Sequence, residues 1–278
     1  MDIASPQFPA SVIGRLVDEL SWEGRKIRRL RNGGRGDENV LTAEALLLLS
    51  YLPREAFLGG VLAAAHGADQ VRSRIAAGSE HATLQMFPTE IKIPGTSIGV
   101  QADAAIWQEH STVLVEAKGP RAGAQFQKTQ LAREFLALMA DPKEHNLLLV
   151  ILSSPPPVRI QSSGRVGLHD GVATGLEELC ALSGRPVGDY ERLRQLIPET
   201  VSWITWQEIR DVVAATAAEF SCPDPSVSNT VQRLAGDLVN TIDWHCGRRD
   251  SSKPEPTCPS ITRPPEGDPT KPGSLTGR

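Results

Sequence analysis

The stretch Val100-Gln101-Ala102-Asp103-Ala104-Ala105-Ile106-Trp107 is followed, after the polar link Gln108-Glu109-His110-Ser111, by Val113-Leu114-Val115-Glu116-Ala117-Lys118-Gly119. Apolar and β-branched residues dominate both halves, which reads as strands over residues 98–107 and 112–117 joined by a short turn. Glu116 and Lys118 are two apart, so in a strand both point to one sheet face. Charged side chains at the end of an apolar strand are costly unless they find partners. If the two strands form a hairpin, their ends bring Asp103 to Glu116. Two carboxylates beside a main-chain carbonyl make a hard, oxygen-rich site suited to Mg2+ or Mn2+.

Working outward, residues 84–93 read as a further strand, joined to 98–107 through the turn Pro94-Gly95-Thr96-Ser97. Gly119-Pro120 ends the third strand. A helix is expected over 125–140, and the nearly continuous apolar run 146–153 reads as a strand buried on both faces. Upstream, Thr42 is placed to cap a helix, Pro53 to open a second over 54–65, and 68–77 to form a third that Gly78 closes. Gly59-Gly60 suits close helix packing. Downstream, Ser154-Pro155-Pro156-Pro157 breaks the chain, and a loop runs to about Asp170. Helices over 174–182 and 189–196 follow, then a last strand over 201–205 and helices over 206–220 and 227–246. The order of helices, three strands, helix, strand specifies an α/β fold with a central mixed β-sheet flanked by helices.

Asp103, a gap of twelve residues, and then Glu116-Ala117-Lys118 resemble the motif of the PD-(D/E)xK nuclease superfamily. The element order over residues 38–153 is similar to the core of that restriction-endonuclease-like fold. The resemblance implies a DNA phosphodiester hydrolase that uses Mg2+ or Mn2+. In that reading Asp103 and Glu116 are metal ligands, and Lys118 orients water and stabilises the transition state. It also implies a helical Glu before the sheet, for which Glu38 is the first choice with Glu44 and Glu55 as rivals. On the helix after the lysine it implies a Gln, either Gln130 or, in second place, Gln127. Ala102 stands where the motif's proline would be. Leu131 and Glu134 stand four residues after Gln127 and Gln130, so the Gln-xxx-Tyr motif of the RecB-type branch is absent, and endonuclease action is expected rather than exonuclease. Nucleic acid, DNA in the first place, is the expected partner, and a homodimer one form of assembly that the group uses. The rival function is a catalytically inactive nuclease-like protein that binds nucleic acid, or an interaction subunit of a larger defence or mobile-element system.

A second E-x-K triplet, Glu90-Ile91-Lys92, lacks a well-placed strand Asp upstream and reads as a solvent-facing charge pair. Six basic residues between Arg25 and Arg35 lead into a glycine-rich loop; such a cluster can grip phosphates or simply be a solvated face. Lys128 is a further candidate for phosphate contact. A net charge of −4 over 278 residues argues against a protein coated in positive charge but leaves room for a local basic groove. The four cysteines form no CxxC pair and are expected as free thiols, and the six histidines show no metal-ligand spacing. Trp203 and Trp206 are expected in the core. Neither a membrane span nor a secretory signal is visible, so a cytoplasmic protein is expected. Four regions are delimited: residues 1–37 as an N-terminal helix and basic loop, 38–220 as the nuclease-like core, 221–246 as a helical segment, and 247–278 as a Pro-, Ser- and Gly-rich disordered tail.

Overall fold

The computed structural model describes residues 36–93, 96, 98–119, 125–183 and 187–247. The N-terminal helix, the basic cluster and the tail expected from sequence lie outside the described residues.

Three helices come first: α1 (Gly36–Tyr51), α2 (Phe57–Ala64) and α3 (Asp69–Ala77). Strands β1 (Thr83–Met86), β2 (Ile91–Lys92), β3 (Gly99–Val100), β4 (Ala104–Trp107) and β5 (Ser111–Ala117) follow. Then come α4 (Gln130–Met139), β6 (His145–Leu152), the hairpin β7 (Val158–Ile160) and β8 (Gly164–Val166), and α5 (Leu168–Ser183). The described chain closes with α6 (Val187–Thr200), β9 (Val201–Thr205), α7 (Trp206–Glu219) and α8 (Pro225–Gly247).

The central sheet has the order β1-β4-β5-β6-β9. Strands β1, β4 and β5 pair antiparallel, whereas β5 with β6 and β6 with β9 pair parallel. The sheet is therefore mixed, and helices cover both faces as expected. On one face Ile106, Val113, Val115, Leu149 and Ile204 meet the apolar sides of α1, α2, α3, α7 and α8. On the other, Ala105, Leu114, Leu148, Val150 and Val201 meet α4, α5 and α6. Alternation along each strand assigns residues to these two layers, and each fully buried large apolar side chain contributes ~1.5–3 kcal/mol. Helix α8 packs on α1 and α7 and sends Val231, Ala235, Leu238 and Ile242 into the first layer.

Several local expectations are corrected. Thr42 does not cap α1 but is fully buried inside it, because the helix already begins at Gly36. Pro53 opens a turn rather than the helix, its carbonyl accepting the Phe57 amide at 3.0 Å. The strand expected over 84–93 is split. Phe87 takes a left-handed φ of 45°, and Pro88 beside it cannot donate to a ladder. The strand expected over 98–107 is also split, between Val100 and Ala104, so β2 and β3 form a separate hairpin, with Ile91 opposite Val100. Helix α4 starts at Gln130 rather than 125, since Phe126 is held in an extended bridge beside β7. The supposed loop before Asp170 contains the β7–β8 hairpin, and α5 begins at Leu168, ahead of the expected 174. Helix α6 runs through Pro198, burying Leu193 and Ile197.

Other features stand as read. Gly59 lies so close to α3 that an added Cβ would meet Ser79 Oγ at 2.7 Å and the Ala76 carbonyl at 3.0 Å. Glu90 and Lys92 are both exposed. Cys180, Cys222 and Cys246 are free thiols, and Cys258 lies outside the described residues. Among the described residues no helix is long and apolar enough to cross a membrane.

Candidate active site

The site forms where β4 begins and β5 ends. The antiparallel register pairs Ala104 with Val115, so one residue further on Asp103 stands across from Glu116. The Asp103 amide donates to the Val115 carbonyl at 3.0 Å, and its side-chain Oδ2 accepts the Ala117 amide at 2.8 Å. Those two bonds fix the carboxylate against the strand end. On the other side, the Lys118 amide donates to the Ile151 carbonyl at 2.8 Å and extends the parallel ladder by one residue. Glu116 therefore sits in the third strand of five, between two neighbours, and is only 2% exposed.

Glu116 has the parity of Leu114, so it faces the layer under α4. One of its oxygens, Oε1, accepts both Lys118 Nζ and Gln130 Nε2 at 2.5 Å each. Lys118 in turn has its ammonium 5.0 Å from the centre of the Phe126 ring, a cation–π arrangement that holds it over the site. Its main-chain carbonyl accepts the indole Nε1–H of Trp206 at 2.9 Å.

A third carboxyl group lies here that the sequence reading passed over. Glu134 follows Gln130 by one helical turn, is 2% exposed, and reaches hydrogen-bonding contact with Glu116. Its Oε2 is buried with no hydrogen-bond partner. The available signal was an acid inside the apolar stripe of α4, flanked by the buried Leu131, Phe135 and Leu138.

Burial sets the electrostatics. Desolvation holds the Glu116 carboxyl well above the usual range, and the neighbouring Glu134 charge adds to it, with Lys118 opposing. Desolvation likewise pushes Glu134 up to about 7; Asp103 raises it further, while its bond to Glu116 and the charges of Lys118 and Arg133 pull it back. Two buried carboxyls in contact hold fewer than two negative charges near neutral pH unless a cation joins them.

The structure thus brings together Asp103, Glu116, Lys118 and Gln130. Gln127 is exposed, and its Oε1 accepts Arg133 NH2 at 3.1 Å instead. Glu44 bonds His245 of α8 at 3.2 Å, and Glu55 is exposed beside Glu80; neither is tied to the site. Glu38 falls in the first turn of α1, and its side chain lies outside what is described. Lys128 is paired with Glu178 at 2.8 Å. Trp206 is core, as expected, whereas Trp203 is half-buried with His66 stacked on it at 4.2 Å.

Among the described residues no group of three or more His, Cys, Asp or Glu side chains is gathered as a ready-made metal site. Asp103 and Glu116 nevertheless offer a two-carboxylate set of hard oxygens, the number Mg2+ commonly takes before completing its shell with waters and phosphate. The Glu134 Oε2 beside them is a further buried oxygen without a hydrogen-bond partner among the described residues. The residues present fit a single divalent cation. Compared with family models, with curated proteins and with solved structures, the chain matches none.

Proposed function

We propose that this protein is a metal-dependent nuclease that hydrolyses phosphodiester bonds of DNA. The observation that carries the reading is the placement of Asp103 opposite Glu116, with Lys118 Nζ 2.5 Å from the Glu116 carboxylate. The mixed sheet supports it too. An antiparallel three-stranded meander of β1, β4 and β5, then α4, then the parallel strand β6, is the order expected of a restriction-endonuclease-like core.

In this reading Asp103 and Glu116 would hold Mg2+ or Mn2+, which when bound neutralises charge on the phosphodiester and makes a water easier to deprotonate. The chain's own groups do the rest. Lys118 places a positive charge against the Glu116 carboxylate, where it can orient the attacking water and stabilise charge developing on the phosphate. Gln130 pins the Glu116 carboxylate from the helix side. Trp206 fixes the main chain of Lys118 from the opposite layer, so the ammonium is aimed by two independent elements. Neither a covalent nucleophile nor a separate general base is required.

A non-cutting reading has one observation in its favour: Lys118 and Gln130 already engage the same oxygen of Glu116, so that oxygen is satisfied without a metal ion. The two readings separate by experiment. Supercoiled plasmid incubated with Mg2+ or Mn2+ should be nicked or linearised by the wild type and not by Lys118→Ala. Expected loss is about a hundredfold or more in rate, the scale of removing one transition-state donor. Equal cleavage by both proteins would sink the assignment. Duplex binding without Mn2+ uptake by calorimetry would favour the non-cutting protein.

A further inference from the structure

The β7–β8 hairpin carries a charge arrangement that folding alone does not account for. Its register sets Arg159 directly opposite Arg165. Val158 and Ile160 are buried, so the alternating Arg159 points outward with its cross-strand neighbour, and both arginines are exposed. Residues directly opposite in an antiparallel pair have Cβ atoms about 5 Å apart, and like charges there repel. Among the described residues neither guanidinium makes an ion pair or a side-chain hydrogen bond. Asp170, the carboxylate nearest in sequence, bonds to neither. Two adjacent, uncompensated guanidinium groups fit an anion with several oxygens, which each can bind through a planar fork of donors.

This hairpin is joined to the candidate site through one residue. The Phe126 amide donates to the Arg159 carbonyl at 3.0 Å, and the Gln161 amide donates to the Phe126 carbonyl at 2.9 Å. The ring of the same Phe126 lies 5.0 Å from Lys118 Nζ. Lys128, two residues further on, is paired with Glu178, whereas the two hairpin arginines have no such partner among the described residues.

We infer that Arg159 and Arg165 grip the phosphate backbone of duplex DNA beside the scissile bond, the hairpin acting as the substrate-positioning arm of the site. The inference rests on the nuclease reading for its substrate class, but its test does not depend on cleavage. A fluorescein-labelled duplex of about 20 base pairs would be titrated by anisotropy in EDTA, over a range of salt concentrations, against the full-length parent. The comparison proteins are Arg159→Ala/Arg165→Ala and Arg159→Lys/Arg165→Lys. Both positions are exposed, and circular dichroism verifies the fold of each variant.

The alanine pair is expected to bind about tenfold or more weakly, with the slope of log K against log salt shallower by about two, one per lost phosphate contact. The lysine pair should keep the salt slope, because charge is retained. Unchanged affinity and slope in the alanine pair would overturn the inference, as would a parent that binds no duplex. Plasmid cleavage with Mg2+ reads the other question. A parent that cleaves, with an alanine pair that binds normally, leaves the nuclease reading intact and removes the hairpin's role. A parent that does not cleave, with an alanine pair that binds weakly, does the reverse.

Discussion

Trp206 donates its indole N–H to the main-chain carbonyl of Lys118 at 2.9 Å, joining the first residue of α7 to the residue just past the end of β5. The two are far apart in sequence, and the bond crosses from one apolar layer to the strand end that carries the site. Thr205 supplies the rigidity behind it. Its hydroxyl accepts the Glu208 amide while the Glu208 carboxylate accepts the Thr205 amide, a reciprocal cap that fixes the start of the helix.

Replacing Trp206 by Phe keeps most of the buried volume and deletes this bond. The variant should lose about 1 kcal/mol, the net worth of one hydrogen bond, plus a smaller packing term. Urea unfolding followed by fluorescence of the remaining tryptophans measures it. Under the nuclease reading the cleavage rate should also fall, by less than for Lys118→Ala. A variant as stable as the parent would mean that another donor takes over the Lys118 carbonyl.

Glu134 should make the protein less stable as pH rises. Its folded pKa lies above its unfolded value, so its contribution is fully present below the ordinary carboxylate pKa near 4.5 and is lost as pH passes the folded value of about 7. The parent should therefore weaken between those limits by about 3 kcal/mol. Glu134→Gln stays neutral throughout, and it also relieves Glu116 of a neighbouring charge. Its urea midpoint should fall less steeply from pH 5 to pH 8, the remaining slope belonging to the buried Glu116, and should exceed the parent's at pH 8. A variant with the parent's pH slope would show that Glu134 does not carry the effect.

Gln130 and Gln127 make a matched pair. Gln130 donates to the buried Glu116, so Gln130→Ala should cost roughly 1–3 kcal/mol, the range for removing a hydrogen-bond partner from a buried polar group. Gln127→Ala removes an exposed contact with Arg133 and should stay within about 0.5 kcal/mol of the parent. Under the nuclease reading only the first should slow cleavage. Equal effects from the two substitutions would contradict the assignment of Gln130 to the site.

Gly59→Ala tests the helical layer. The added methyl would meet Ser79 Oγ and the Ala76 carbonyl, and the backbone atom cannot swing aside. Overpacking of this kind typically costs 1–3 kcal/mol, seen as a lower thermal midpoint. An unchanged midpoint would mean that α2 and α3 can slide apart freely.

The sequence by itself determined the two adjacent strands, read as 98–107 and 112–117 and found at 104–107 and 111–117, the buried strand after α4 and the last strand 201–205, because alternation and apolar runs encode burial locally. It also placed Asp103 across from Glu116 and Lys118 on the same face, since a hairpin of two strands leaves little freedom of register. Tertiary structure alone decided the rest. Glu134 reads from sequence as one acid on an amphipathic helix; only the docking of α4 under β5 buries it beside Glu116. Gln130 prevailed over Gln127 because Phe126 was drawn into a bridge with β7, which delayed the helix and turned Gln127 outward. The split of the first strand and the bond from Trp206 to Lys118 have the same origin. Each depends on contacts between segments distant in the chain, which no local pattern of residues records.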